Sequence, residues 1–389
     1  MGFDLDRALG DTIRVSASDL HIKVPSPPRI RVAGRLTDLP GHGPVTPEQT
    51  EAIRQRILTS PLKRDDFERN GSADFSFWTE AGRFRVSAFS QRGSASFVFR
   101  SVPAAPDASK LGLPDTVAGW SAAKRGLVVI TGPTGSGKST TCAALLDRVN
   151  RQRQCHILTI EDPIEFLHRD ERAIVCQREI GVDAPSHRVA LRAALRQDPD
   201  VMMVGEVRDE ETAMTALRAA ETGHLVLCTM HTIDATETVQ RFVDLFGHDR
   251  EGLARQMLGA TLVGICSQRL LPAARAGMVL NAEVLINSAR VRDMVVGGAA
   301  PGELCKAIAE GDYYGMNTFD QRLVTLVREG VVKEADALDY ASDGHDFKLL
   351  LERAGGAPVA APARAPVGAP VGAPAMMSFQ AGAGRRRAG

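Results

Sequence analysis

Hydrophobic and polar residues alternate along the first hundred positions in the manner of a small α+β domain. Four short segments alternate apolar with polar side chains, as half-buried strands do: residues 29–32, 73–78, 83–89 and 96–100. Thr46, Pro47 and Gln49 supply an N-cap, a proline at the first helical position and a capping-box glutamine. The pattern predicts a helix after Thr46, three antiparallel strands after it, and a first domain over residues 1–101.

The pattern changes near residue 117, where short continuous apolar runs begin to alternate with helical periodicity. Four runs have the length and composition of fully buried strands: residues 127–130, 157–160, 201–204 and 225–230. Helical patterns follow the first run, over residues 140–149, and recur over residues 186–197. This βαβ rhythm predicts an α/β fold, a parallel sheet covered by helices, over residues 117–354.

Proline and glycine separate these segments and end the chain. Pro103, Pro106 and Pro114 interrupt any helix or central strand, which predicts an interdomain linker over residues 102–116. Beyond Gly355 the sequence becomes Ala, Pro, Gly and Val repeats that end in three arginines at 385–387. This composition has almost nothing to bury, so residues 355–389 are expected to be a disordered tail.

Charge and cysteine usage narrow the function class. The 47 basic and 47 acidic side chains of the 389 residues cancel, which argues against a generally basic nucleic-acid coat. The six cysteines are widely spaced and form no CxxC pair, as expected for reduced thiols in a cytoplasmic protein. Neither an apolar stretch of membrane-spanning length nor an apolar signal sequence is visible, so we expect any membrane role to run through a partner.

The segment GPTGSGKS fits the phosphate-binding pattern G-x-x-x-x-G-K-[ST] and lies between a predicted strand and a predicted helix. Its glycines let successive backbone N–H groups point at phosphate oxygens, and the helix N-terminus adds a positive dipole. Lys138 is expected to reach the β and γ phosphates, and Ser139 to place its hydroxyl on Mg²⁺. The predicted nucleotide-binding residues are Gly132, Pro133, Thr134, Gly135, Ser136, Gly137, Lys138, Ser139 and Thr140.

Acidic residues follow two further predicted strands, where a phosphate site needs them to hold the metal and polarise water. Glu161 and Asp162 end the run at 157–160, and Gly205 and Glu206 end the run at 201–204. A glutamate displaced by one position favours reaching Mg²⁺ through a water, or activating the attacking water, over direct ligation. The alternative is that these are solvated acids at strand ends.

Two histidines flank the run at 225–230 and form the pattern H-x3-C-x2-H with Cys228. Zinc binding is one interpretation, but on a strand His224 and Cys228 share a face that His231 does not. The other interpretations are hydrogen-bonded structural histidines and histidines that face the phosphates.

Together and in order, these motifs resemble the type II/IV secretion ATPase superfamily, most closely the PilT-like retraction ATPases of type IV pili. The matching segments are GPTGSGKSTT, an Asp box ILTIEDPIEF, an atypical Walker B ALRQDPDVMMVGEVRD and a His box AAETGHLVLCTMHT. SDLHI and GRFRVSAFSQR resemble that family's N-terminal domain, and GMNTFDQ resembles a C-terminal segment of some members. The resemblance covers residues 1–350.

The resemblance implies a RecA-like P-loop NTPase core with an N-terminal α+β PAS-like domain, assembled as a homohexameric ring that uses ATP and Mg²⁺. It implies that Lys138 and Ser139 contact phosphate and metal, and that Glu206 acts in catalysis and at the metal. It places the remaining catalytic residues in the Asp box and the His box: Glu161, His224 and His231. It also implies that arginines of the N-terminal domain contact nucleotide, and we assign this to Arg83, Arg85 and Arg100.

The implied function is an ATP hydrolase that powers pilus retraction, and hence twitching motility, from the cytoplasmic face of the membrane. Its implied partners are an integral inner-membrane platform protein and, as a further candidate, a paralogous pilus ATPase, with no nucleic acid. The short N-terminus and the absence of a four-cysteine zinc element of CxxC pairs favour retraction over a pilus assembly or type II secretion ATPase. An accessory retraction ATPase and a nucleic-acid translocase are the alternatives.

Overall fold

The computed structural model describes residues 3–355, and this part of the chain divides into two compact units between Val102 and Pro103. Each unit is built around its own β-sheet, so the mixed α/β prediction is confirmed. A short helix, Asp115–Gly119, begins in the last two residues of the predicted linker. Apart from Gly355, the predicted tail lies outside the described residues.

Over residues 3–102, the first unit consists of six strands and three helices. The strands are β1 (Asp19–Ile22), β2 (Arg29–Val32), β3 (Arg35–Asp38), β4 (Ser72–Thr79), β5 (Gly82–Gln91) and β6 (Ser94–Ser101). The helices are α1 (Leu5–Arg14), α2 (Pro47–Ile57) and α3 (Pro61–Asn70). The strands form one antiparallel sheet in the order β3-β2-β1-β6-β5-β4.

The three C-terminal strands of this unit and the capped helix confirm the sequence predictions. Thr46 accepts from the backbone N–H of Gln49, and the Gln49 side chain accepts from the N–H of Thr46. Ile53 and Ile57 of α2 pack in one buried cluster with Phe97 and other apolar side chains of the sheet. The capping box therefore fixes where the helix starts, and its apolar face anchors it in the core.

The second unit contains seven strands. They are β7 (Gly126–Thr131), β8 (His156–Glu161), β9 (Ile174–Glu179), β10 (Val201–Val204), β11 (Leu225–Met230), β12 (Leu262–Pro272) and β13 (Met278–Ile286). Their order is β13-β12-β7-β11-β10-β8-β9, and only the edge pair of β12 and β13 is antiparallel among the described strands. Strands β7, β8, β10 and β11 therefore end at one edge of the sheet, where a site in such folds is expected.

Helices cover this sheet. They are α4 (Asp115–Gly119), α5 (Lys138–Gln152), α6 (His187–Ala194), α7 (Glu210–Glu221), α8 (Ala235–Asp244), α9 (Glu251–Thr261), α10 (Ala289–Gly297), α11 (Pro301–Ala309), α12 (Phe319–Arg328), α13 (Glu334–Leu338) and α14 (Gly344–Arg353). Leu127 and Val129 of β7 pack in one cluster with side chains of α7 and α8, and Val128 and Ile130 pack in another with α5. Burial on both faces explains why the central strands are continuous apolar runs.

Tight packing around Gly264 of β12 gives a stability prediction. A Cβ at this position would overlap the Trp120 ring and would lie 2.7 Å from the carbonyl oxygen of Leu285. Because a backbone oxygen in a paired strand cannot move aside, we expect Gly264→Ala to lower the free energy of unfolding by about 1–3 kcal/mol. The midpoint of urea unfolding measures this change.

Gly302 is the matched control, because it lies in α11 and a Cβ there meets no heavy atom within 4 Å. Gly302→Ala is expected to leave the midpoint unchanged or to raise it slightly, since alanine restricts the unfolded chain. Equal midpoints for the two variants would contradict the packing described for Gly264.

Among the helices of residues 3–355, none is both long enough and apolar enough to cross a bilayer.

Candidate functional site

A glycine-rich loop joins β7 to α5 at the edge where the central strands end. Gly135 and Gly137 adopt positive φ angles of 81° and 93°, which suit glycine and turn the backbone tightly before the helix. Lys138 is the first residue of α5, so the loop delivers its last residues to a helix N-terminus. This is the strand, loop and helix arrangement that the phosphate-binding pattern requires.

Gly132 is enforced by close packing. A Cβ on this residue would overlap the carbonyl oxygen of Gln268 on β12 and would lie 2.6 Å from the Ser136 hydroxyl. The Ser136 hydroxyl oxygen is buried and has no hydrogen-bond partner among the described residues. The absence of a side chain at Gly132 therefore allows the loop to fold over the end of the sheet. The Ser136 hydroxyl lies beneath the loop.

Lys138 is held inside the loop. Its Nζ donates to the carbonyl oxygens of Gly132 at 2.8 Å and Pro133 at 3.0 Å. Burial lowers the pKa of Lys138, and the nearby Glu206 carboxylate opposes that shift. A phosphate group arriving at the loop would give this ammonium a charged acceptor in place of two neutral ones.

A cleft of about 530 Å³ opens beside the loop. It is lined by the ends of β8, β10 and β11 as well as by the loop. The lining residues predicted from sequence are Thr134, Gly135, Gly137, Lys138, Ser139, Thr140, Glu161, Asp162, Glu206 and His231. The structure thus brings together the phosphate loop, both strand-end acids and one histidine.

Glu161 ends β8 and is buried at the cleft wall. Its Oε1 accepts from the Thr159 hydroxyl at 2.6 Å and from Gln177 Nε2 at 3.0 Å. Burial raises the pKa of Glu161 despite these two hydrogen bonds. A carboxyl group with a raised pKa holds a proton more readily than a solvated one, so the solvated-acid alternative does not describe Glu161.

Glu206 follows β10 through Gly205, and the glycine explains how the two acids approach. A Cβ on Gly205 would lie 3.1 Å from the carbonyl oxygen of Ile160 and 3.4 Å from the Cα of Glu161. The Gly205 N–H also donates to that Ile160 oxygen at 2.8 Å. A residue without a side chain therefore allows the turn after β10 to lie against the end of β8, which places Glu206 at the same cleft.

The side chains of Arg208 and His231 hold Glu206. Arg208 Nε lies 2.6 Å from Oε1, Arg208 Nη2 donates to Oε2 at 2.6 Å, and His231 Nε2 lies 3.3 Å from Oε2. Burial on its own would raise the pKa of Glu206, but the hydrogen bond from Arg208 and the charge of His231 outweigh it and lower the pKa. Glu206 is therefore the ionised acid of the pair and Glu161 the more easily protonated one.

His224 does not line the cleft. It precedes β11, whereas His231 follows the same strand, so the full length of the strand separates them. The His224 Nδ1 atom lies 2.8 Å from the carbonyl oxygen of Ala219, which fits a hydrogen-bonded structural histidine. Within one chain, the assignment of His224 to the nucleotide site therefore has no geometric support, because His224 lies at the end of β11 that is remote from the cleft.

The zinc interpretation of H-x3-C-x2-H is not supported by the geometry. Cys228 is fully buried between the two histidines, and burial raises the pKa of its thiol to about 12. Across residues 3–355, no group of three or more His, Cys, Asp or Glu side chains is arranged to hold a metal ion.

The three assigned arginines lie in the first unit. Arg85 and Arg100 are cross-strand neighbours on β5 and β6, and both are exposed. Arg100 Nε donates to Asp19 Oδ1 at 2.8 Å, whereas buried Arg83 donates to the Ser76 hydroxyl at 3.1 Å and lies over the Trp78 ring. Arg83 and Arg100 thus have structural partners within their own sheet, and their contact with nucleotide stays a prediction.

Several cleft residues were not singled out from the sequence as site residues. They are Pro163, Glu165, His187, Met203, Gly205, Arg208, Asp209, Thr212, Thr229 and Leu270. Asp209 and Thr212 have local roles, since Asp209 caps α7 by accepting from the Thr212 N–H. Arg208 is the one of these residues to which we assign a functional role, because its side chain contacts Glu206 directly. Its position two residues after the acid, in the same turn, was the available signal.

The donor set at the cleft suits Mg²⁺. The Ser139 hydroxyl and the Glu206 carboxylate both line it, and Asp162 and Glu165 add further carboxylates. Hard oxygen donors are what Mg²⁺ prefers, and it is usually held by one or two carboxylates together with substrate phosphates. The residues present therefore fit the metal that P-loop chemistry uses.

Comparisons with known proteins agree with this geometry. The sequence model of the family described as "Type II/IV secretion system protein" matches residues 69–318. The type IV pilus retraction ATPase PilT of Pseudomonas aeruginosa is 40% identical over 348 residues, which cover 88% of this chain and 100% of that protein. The type IV pilus ATPase PilU of the same organism is 37% identical over 352 residues, which cover 90% of this chain and 91% of that protein.

A solved structure shows the same fold. The crystal structure of the pilus retraction motor PilT with bound ADP superposes with a TM-score of 0.79 and 40% identity, over 89% of this chain and 99% of that one. The resemblance inferred from the four nucleotide motifs is thereby confirmed. The chain belongs to the type II/IV secretion system protein family and is a PilT-like P-loop ATPase within it.

Proposed function

We propose that this ATPase is the motor that retracts type IV pili and so drives twitching motility. The observation that carries the proposal is the cleft in which Lys138, Glu161 and Glu206 meet, in a chain that is PilT-like over most of its length. A site with a phosphate loop and two acids of opposite pKa shift is equipped for phosphoryl transfer to water.

The chemistry assigns a role to each group at the cleft. The loop N–H groups and Lys138 bind the phosphates, and Lys138 exchanges its two carbonyl acceptors for phosphate oxygens. Ser139 and Glu206 would hold Mg²⁺, which supplies charge stabilisation to the phosphates when bound. Glu206, the ionised acid, orients and polarises the attacking water, and buried Glu161 stands beside it as the group that more easily carries a proton.

We further propose a homohexameric ring with PAS-like N-terminal domains, at the cytoplasmic face of the membrane. In such an assembly, binding and release of the γ phosphate alternate a subunit between two states, and the motion acts on an integral platform protein. Similarity to both PilT and PilU makes an accessory ATPase beside a main motor the second candidate. The balanced charge of the chain argues against a nucleic-acid translocase.

Deletion of the gene in its native host tests this function. We expect surface pili to accumulate and twitching zones to disappear, because assembly continues while retraction stops. Wild-type protein expressed from a plasmid should restore both, whereas the Glu206→Gln protein should restore neither. Loss of surface pili would identify an assembly ATPase, and unchanged piliation and twitching would refute the proposal.

A further inference from the structure

The contact between Arg208 and Glu206 blocks the use of Glu206 as a base. Both carboxylate oxygens accept from the same guanidinium at 2.6 Å, and His231 adds a third contact at 3.3 Å. Because both oxygens of the carboxylate accept from one guanidinium in a two-pronged contact, the carboxylate is directed at Arg208 and not at a water molecule. With Arg208 in this position, Glu206 is held away from the chemistry it is proposed to perform.

Packing does not confine the Arg208 side chain, because it is 75% exposed. It lines the cleft, where the Asp162 carboxylate also acts on its charge. Its backbone belongs to the short connection between β10 and the Asp209 cap of α7, which fixes the residue at the cleft rim. The guanidinium can therefore change partner through its own rotamers while the backbone stays in place.

A triphosphate offers the alternative partner. Guanidinium groups bind carboxylates and phosphates with the same two-pronged geometry, and a γ phosphate carries more charge than one carboxylate. We propose that Arg208 is a positioning residue that leaves Glu206 for the γ phosphate when ATP binds, so that Glu206 becomes available only in the loaded site. This inference rests on the proposed ATP-hydrolysing function and deepens it.

The exchange makes Glu206 and the γ phosphate competitors for one guanidinium. Removing the carboxylate should therefore tighten binding of a triphosphate, and the gain should require Arg208. A diphosphate lacks the competing group, so its affinity should barely respond to either substitution. A merely structural role for Arg208 would change the affinity of both nucleotides together.

A double-mutant cycle on the full chain tests this coupling, with dissociation constants measured for ADP and for a non-hydrolysable ATP analogue in EDTA without Mg²⁺, so that the loss of a metal ligand in Glu206→Gln does not enter the comparison. We expect Glu206→Gln to bind the analogue about tenfold more tightly, and Arg208→Ala to bind it about tenfold more weakly. The double variant should match Arg208→Ala. ADP affinity should stay within about twofold throughout.

Arg250→Ala is the matched control. Its Nη1 forms an equally short ion pair, at 2.6 Å from Glu210, but neither residue lines the cleft. This variant should bind both nucleotides like the wild type. Arg208→Lys, which keeps the charge without the two-pronged geometry, should lie between wild type and Arg208→Ala.

Two results overturn the inference. One is an equal gain from Glu206→Gln with and without Arg208, which would reflect simple charge removal. The other is an equal loss of ADP and analogue affinity in Arg208→Ala. Failure of the ATP-hydrolysing activity on which this inference rests is distinguishable, since it would leave the wild-type chain without nucleotide binding or turnover.

Discussion

Replacing Glu206 by glutamine in the full chain is expected to lower kcat for ATP hydrolysis by about 10²–10⁴-fold, the range for loss of a general base. Glutamine keeps the size of the side chain but removes the charge that Arg208 and His231 contact and that would polarise the attacking water. Nucleotide binding should persist, because the phosphate loop is untouched. Steady-state phosphate release and equilibrium nucleotide binding separate the two effects.

Glu210→Gln is the control for this substitution. Glu210 lies four residues further along and pairs with Arg250, and it does not line the cleft. Its turnover should equal that of the wild type. Normal turnover by Glu206→Gln would remove Glu206 from catalysis and make Glu161 the next acid of the cleft to test.

Lys138→Ala is expected to weaken both binding and chemistry. The substitution removes the only buried cation described at the cleft and leaves the carbonyl oxygens of Gly132 and Pro133 without their donor. Loss of one well-placed electrostatic contact at a reacting phosphate lowers kcat by about 10²–10³-fold. We expect this loss together with a higher KM for ATP, since the ground-state phosphates lose the same contact.

Lys124→Ala removes an exposed lysine that precedes β7, outside the cleft, and should leave kcat and KM unchanged. Thermal unfolding of both variants controls for damage to the fold. A folded Lys138→Ala protein with wild-type kinetics would contradict the placement of the phosphates at residues 132–139.

The central strands β7, β8, β10 and β11 were predictable because burial on both faces leaves a continuous apolar run. The predictions for β10 and β11 match their observed ends, at Val201–Val204 and Leu225–Met230. Strand β3 was not predicted, since all four of its residues are exposed and produce no alternation. The helix predicted over residues 186–197 ends at Ala194. Four residues later Asp198 has a positive φ of 52°, a backbone feature that the hydrophobic periodicity does not indicate.

The parts of the site that consist of a motif within one continuous segment could be predicted from the sequence. The phosphate loop and both acids follow from local patterns, because parallel strands deliver their carboxyl ends to the same edge. His224 and His231 lie at opposite ends of β11, so only His231 lines the cleft. The His-box motif contains both residues and did not indicate this difference. The Arg208 contact depends on side-chain conformation, so the sequence offered only proximity to Glu206.

ATP hydrolysis by the residues gathered at this cleft is the activity on which the proposed function depends. Phosphate release by the purified full chain with ATP and Mg²⁺, compared directly with Glu206→Gln, tests it most directly. We expect sustained turnover by the wild type and almost none by the variant. A wild-type chain that binds ATP but releases phosphate no faster than Glu206→Gln would contradict it.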